Sequence, residues 1–262
     1  YISPFTNDDS TIVEYGLSSD ITPSVTLELS EEIDFTNDEK TEGTIDVYMS
    51  NVPACSYCEN WVYNENTENW FNTGLPNGDI VEGYKQLCEN TDSGNSTWIV
   101  DAGMTKEECG EVPDIFGLGV PGAGNGGWWF DGYVAGLQFY ITGGTITNLY
   151  GGTADQAFGI LQTTVKPSCH GDGTVDEGCN LILCADASGG VIDPSTESQI
   201  LMTVEFEDFN GIGFCFAATE TEISDDDNWS PPVMSDLIGE GVLIDWGTCS
   251  CDADYPPDDC GV

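Results

Sequence analysis

The side chains in this sequence that could do chemistry are carboxylates and thiols: 47 Asp and Glu, 11 Cys, and a single histidine, His170. Hard cations such as calcium take about six to eight oxygen ligands, and loops dense in carboxylates supply them. Asp172 with Asp176 and Glu177 makes one such cluster, and Asp225, Asp226 and Asp227 with Asn228 a second. Asp252, Asp254, Asp258 and Asp259 make a third. The run Gly171-Asp-Gly-Thr-Val-Asp176 faintly echoes a dockerin calcium loop, and none of the clusters completes the EF-hand spacing. Calcium is therefore the one cofactor the composition raises, although so many acids generate clusters by number alone. A nucleophilic triad needs a base, and His170 sits between Cys169 and Gly171 in a loop of the disulfide type, so no catalytic residue is assigned. Two carboxylates at a set separation would suffice for a glycoside hydrolase. No pair, however, has surroundings that would drive two pKa values apart. Trp128 and Trp129 are the residues that could stack on a sugar.

A metal reading of Cys55-Ser-Tyr-Cys58 would explain one pair of thiols, whereas disulfides in an oxidising compartment explain them together. The disulfide candidates are Cys55, Cys58, Cys88, Cys109, Cys169, Cys179, Cys184, Cys215, Cys249, Cys251 and Cys260. Their number is odd, which leaves one thiol free, joined to another chain, or joined to a cysteine of a longer precursor. The tail, with Cys249, Cys251 and Cys260, is where that linking thiol is expected. Sequons at Asn95 and Asn228 agree with secretion and glycosylation, the second being the weaker acceptor because Pro231 follows it. No charged-then-apolar leader and no membrane-length apolar run is present, so Tyr1 is expected to be a processed terminus of an extracellular protein.

The formal charge of −43 excludes ordinary nucleic-acid binding, since four lysines and no arginine cannot neutralise a phosphate backbone. It also opposes anionic membranes. Cations, neutral sugars and other protein chains remain as partners. Self-repulsion on this scale needs screening by salt or divalent ions; the plainer reading of such a surface is solubility alone, or life in high salt.

The elements that must position these groups are strands. The central one lies within Gly132–Gly144, where Leu137, Phe139 and Ile141 alternate with Gln138, Tyr140 and Thr142. Val25, Leu27 and Leu29 alternate with Thr26 and Glu28. After an acidic turn over 31–42, Ile45, Val47 and Met49 alternate with Asp46, Tyr48 and Ser50. Further strands are expected over 145–149, 158–165 and 181–185. In the next, Ile200, Met202, Val204 and Phe206 point inward. Then Ile212, Phe214 and Phe216 share one face opposite Cys215, and Val242, Ile244 and Trp246 form the last strand. A short helical turn is expected within 155–161. Residues 52–127 interrupt the pattern as a disulfide-stapled insertion, whose Trp61, Trp70 and Phe71 would be a small core or a sugar platform. Residues 1–22 read as an arm. Ile2, Phe5, Ile12 and Val13 would dock it onto a neighbouring subunit as an added strand, the alternative being a loose terminus.

Three pieces stand in the order of a cohesin-like, or carbohydrate-binding-module-like, β-sandwich. They are Gly43-Thr-Ile-Asp-Val-Tyr-Met-Ser-Asn51, Val134-Ala-Gly-Leu-Gln-Phe-Tyr-Ile-Thr-Gly-Gly144 and Ile200-Leu-Met-Thr-Val-Glu-Phe206. Gly151-Gly-Thr-Ala154 resembles the "GG-A" turn of that family. The cysteine-rich segment between the first two pieces departs from the pattern. The resemblance implies an all-β antiparallel sandwich of about nine strands, displayed on a cell or virion surface of aquatic microbes or algal viruses, with protein attachment and no catalysis. The expected layout is an arm at 1–22, a sandwich at 23–248 with its insertion at 52–127, and a Cys/Asp-rich tail at 249–262. The expected function is a non-enzymatic subunit of a homopolymeric filament or surface layer, joined by strand or arm exchange and cation-bridged acidic faces. The alternatives are a monovalent module for a dockerin-like partner or a polysaccharide and, more remotely, a glycoside hydrolase.

Overall fold

The computed structural model describes residues 24–59, 85, 88–89, 97–112, 127–166, 179–217, 232–237, 239 and 241–252. Its strands follow the alternation of the sequence. β1 (Val25–Leu29) and β3 (Gly43–Asn51) bury every second side chain, as strands with one covered face must. Between them β2 (Asp34–Phe35) pairs with the start of β3, beside β1's own pairing further along. β4 (Ala54–Glu59) and β5 (Thr97–Asp101) pair with each other, and α1 (Lys106–Glu111) follows. α1 opens on a reciprocal cap: the Glu108 amide donates to the Thr105 hydroxyl, and the Glu108 carboxylate accepts from the Thr105 amide and hydroxyl. β6 (Trp128–Phe130) returns to pair with β4.

β7 (Gly136–Thr142) is the centre of the second half, flanked by β10 (Asn180–Ala185) on one side and by β12 (Gly213–Ala217) and β13 (Val233–Ser235) in succession on the other. β8 (Thr145–Tyr150), α2 (Gly152–Ala157) and β9 (Ile160–Val165) connect β7 to β10. β11 (Ser195–Glu207), β14 (Ile244–Trp246) and β15 (Ser250–Cys251) complete the described elements. The first sheet has the order β14-β1-β3-β11-β8 with β2 on β3, the second β15-β12-β7-β10-β9 with β13 on β7, and a small third sheet β5-β4-β6. All pairings are antiparallel except β1 with β14. One apolar cluster draws on both large sheets, with Val25, Leu27, Val47 and Val204 from the first and Phe139, Ile141, Ile182 and Phe214 from the second. An aromatic group of Phe35, Phe206, Phe209 and Phe214 closes one end. There Lys40 donates to both oxygens of Asp252, at 2.7 and 2.8 Å, which ties the acidic turn to the start of the tail.

Several details differ from the sequence expectation. The single inward face expected of β11 breaks at Ile200, which is exposed, while Leu201 and Met202 are both fully buried. The register against β3 shifts between Ile200 and Met202, so the extra residue of a bulge turns the alternation over. α2 packs at this point, and the Gly151–Gly152 turn explains how. Both residues have φ near the left-handed region (+70° and +66°), and a side chain on Gly152 would run into the Leu201 carbonyl. Ile212 is exposed because it precedes β12, leaving Phe214 and Phe216 as that strand's buried pair. β4 lies in the segment where the sequence shows little alternation. The helical turn forms a few residues before the expected 155–161.

Candidate functional site

Many of the residues singled out from the sequence lie outside the described residues. They are the arm positions Ile2, Phe5, Ile12 and Val13, the sequons Asn95 and Asn228, the carboxylates Asp172, Asp176, Glu177, Asp225, Asp226 and Asp227, His170, the insertion aromatics Trp61, Trp70 and Phe71, and Cys169 and Cys260. Among the described residues no three His, Cys, Asp or Glu side chains converge as a metal site.

The thiols that are described follow the disulfide reading, with Cys184 as the exception. Cys55 pairs with Cys109 and Cys58 with Cys88, which makes the insertion's cysteines self-contained and replaces the metal reading of Cys55 and Cys58. Cys215 pairs with Cys249, and Cys179 and Cys251 are also disulfide-bonded. The free thiol among the described residues is Cys184, in the core; of the tail, Cys249 and Cys251 are disulfide-bonded and Cys260 lies outside the described residues. It faces inward from β10 opposite Leu137, and burial pushes it up to about 12. A thiol so placed neither links copies nor acts as a nucleophile at neutral pH. Trp128 is likewise corrected as a stacking surface: its side chain is buried on the inner side of β6 and only Trp129, on the other side, is half-buried.

The distribution of charge over the two large sheets is uneven. On the outer face of the first sheet Glu28, Asp46, Glu205 and Asp245 stand in adjacent rows, with the Thr203 hydroxyl donating to Asp46 at 2.6 Å. The strands of the second sheet, β7, β9, β10, β12, β13 and β15, contain no acid at all. β8, at the neighbouring edge of the first sheet, contains none either. Four of the exposed large apolar side chains fall on this acid-free region: Tyr150 on β8, Ile160 and Val165 on β9, and Leu183 on β10. Val165 is 57% exposed. β9 pairs with β10 and, among the described residues, is hydrogen-bonded to no second strand, while β8 of the first sheet lies close beside it.

Proteins ordinarily guard an edge strand with charge, proline or a bulge. β9 reads Ile-Leu-Gln-Thr-Thr-Val, with β-branched and neutral residues only, and is followed by Lys166, one of the four lysines. The acid nearest its first residues is Asp186, which accepts from the Gly190 amide at 2.7 Å and from the Ser188 hydroxyl. Those bonds hold its carboxyl below the usual range. The signal for this region is present in the sequence as an absence: residues 132–171 contain a single acid, Asp155, in a chain with 47. The described strands of the second sheet present neutral side chains on a strongly anionic chain. No helix among the described residues is long and apolar enough to cross a membrane. The chain matches no protein-family model, no curated protein and no solved structure.

Proposed function

We propose that the protein is a secreted, non-enzymatic structural subunit, a cohesin-like β-sandwich that assembles with copies of itself into an extracellular filament or surface layer. The observation that carries the reading is the acid-free strands of the second sheet, ending on β9 with no further hydrogen-bonded strand among the described residues, on a chain of charge −43. Apolar residues are cheap to leave scattered on a surface, but a coherent neutral region on so acidic a body marks a contact. The three pieces that carry the family resemblance fall on β3, β7 and β11, the strands at or beside the middle of the two sheets. Disulfides are compatible with an extracellular setting. The acidic outer face of the first sheet would then meet other copies through bound cations such as calcium, and the 1–22 arm would supply a second, strand-exchange contact. The burial of Trp128 weighs against the sugar-binding alternative.

Negative-stain imaging and sedimentation of the purified full chain, with calcium and with chelator, test this. Ordered polymers or sheets are the expected outcome. Monodisperse single copies at every ionic strength, or release of reducing sugar from a polysaccharide, would overturn it.

A further inference from the structure

We infer that β9 is a two-fold pairing edge: it joins β9 of a second copy, antiparallel, with Thr163 facing Thr163 across the axis. The inference rests on the assembly reading and names one of its contacts.

The backbone limits the register to centres on a residue, of which Thr163 pairs the most open-side groups. The Lys166 amide donates to the Cys179 carbonyl at 2.9 Å, on the β10 side. Backbone groups alternate along a strand, so the amides and carbonyls of Gln162 and Thr164 also turn toward β10. Those of Leu161, Thr163 and Val165 turn toward the side that carries no hydrogen-bonded strand among the described residues, the open side of the ladder. Two copies of one strand related by a two-fold axis normal to the sheet keep their inner and outer faces only when paired residue numbers sum to an even value. A centre at Thr163 meets that condition and sets Leu161 opposite Val165 of the other copy. Each of these is a residue whose open-side amide and carbonyl can be exchanged, so the ladder closes with no orphaned group between Leu161 and Val165.

The charges agree with a second copy as the occupant. No carboxylate lies on either strand. The register carries Lys166 of one copy to Ile160 and Gly159 of the other, where Asp186 Oδ1 lies 3.1 Å from the position a Gly159 Cβ would take. Opposite charges therefore approach at both ends of the ladder. On the outer face Ile160 and, one strand in, Leu183 extend the neutral surface across the junction. An isologous pair closes on itself, so a polymer would alternate this contact with a different one.

The test is sedimentation of the intact, oxidised chain at about 0.15 M salt, beside two variants. Thr163→Pro removes an amide that faces the open side and spares the β9–β10 ladder, and Val165→Glu puts a carboxylate at the junction; each retains its far-UV circular dichroism. The pairing predicts that both weaken the smallest assembled species at least tenfold in dissociation constant. Undiminished assembly in both variants overturns the β9 pairing and leaves the assembly reading standing. A native chain that stays single at every salt and protein concentration overturns both.

Discussion

Cys184 is opposite Leu137 on one side and Leu161 on the other, within the main apolar cluster. A thiol held protonated up to about 12 reacts only when the sheet opens. Its alkylation by iodoacetamide at neutral pH is therefore expected to be negligible in the native chain and rapid in denaturant; fast native labelling would show that β10 is not covered. The sign of its pH effect follows from the same shift. The folded thiol keeps its proton where the unfolded one, near 9.0, has lost it. Its contribution is complete below 9.0 and is lost as pH rises toward 12. Cys184→Ala should flatten the alkaline slope of stability relative to the native chain. Asn180 shows the complementary device, a buried amide with every group engaged. Its Nδ2 donates to the Gly144 carbonyl at 2.7 Å, and its Oδ1 accepts from the Ile146 amide at 3.1 Å. Asn180→Asp would place a carboxylate against carbonyls in a dry site, a loss of about 2 to 4 kcal/mol by chemical denaturation. A loss under ~0.5 kcal/mol would mean that water reaches the site.

The strands were legible where one face is buried and the other wet. β3 has the bounds its alternation predicts, and β1 lies within one residue of them. Legibility failed where alternation is not what positions the chain. β4 is held between two neighbours and beside a disulfide, so Ala54, Cys55 and Ser56 are buried in succession and leave no period to read. The bulge of β11 falls where Gly152 of α2 approaches the Leu201 carbonyl, a tertiary contact that the residues of β11 do not encode. The acid-free edge carries no periodic signal either: it is marked by residues withheld, a single acid over 132–171, and not by any that are present. The insertion also yields a prediction at this scale. Gly127 leads into β6 against the Cys55–Cys109 bond, and a Cβ there would stand 2.7 Å from Cys55 Sγ and closer still to Cys109. Gly127→Ala is expected to make Cys55–Cys109 reducible by dithiothreitol at lower concentration while Cys215–Cys249 is unchanged. Equal resistance of the two would place the strand further from the sulfurs. Each insertion disulfide closes a long loop, 54 residues for Cys55–Cys109 and 30 for Cys58–Cys88. Either contributes roughly 3 to 4 kcal/mol on the chain-entropy account.

At the scale of the molecule, a charge of −43 would compete with any contact between copies of the proposed assembly. Repulsion reaches ~30 Å at 0.01 M salt and only about 8 Å at 0.15 M, whereas a neutral strand-to-strand junction gains nothing from distance. Salt should therefore favour assembly, the reverse of what interfaces built on opposite charges do. Sedimentation across that range is expected to move from single copies toward multimers, with millimolar calcium acting at ionic strengths where sodium does not. Acid should act in the same direction. Carboxylates protonate as pH falls toward the isoelectric value of about 4.1, so the repulsion fades before the disulfides or the apolar core are disturbed. Assembly that weakens as salt rises would place the contact on charged surfaces and remove the role assigned to the second sheet. Assembly that ignores both salt and pH would mean that the acids face away from every junction. In that case the neutral edge alone would account for how copies meet.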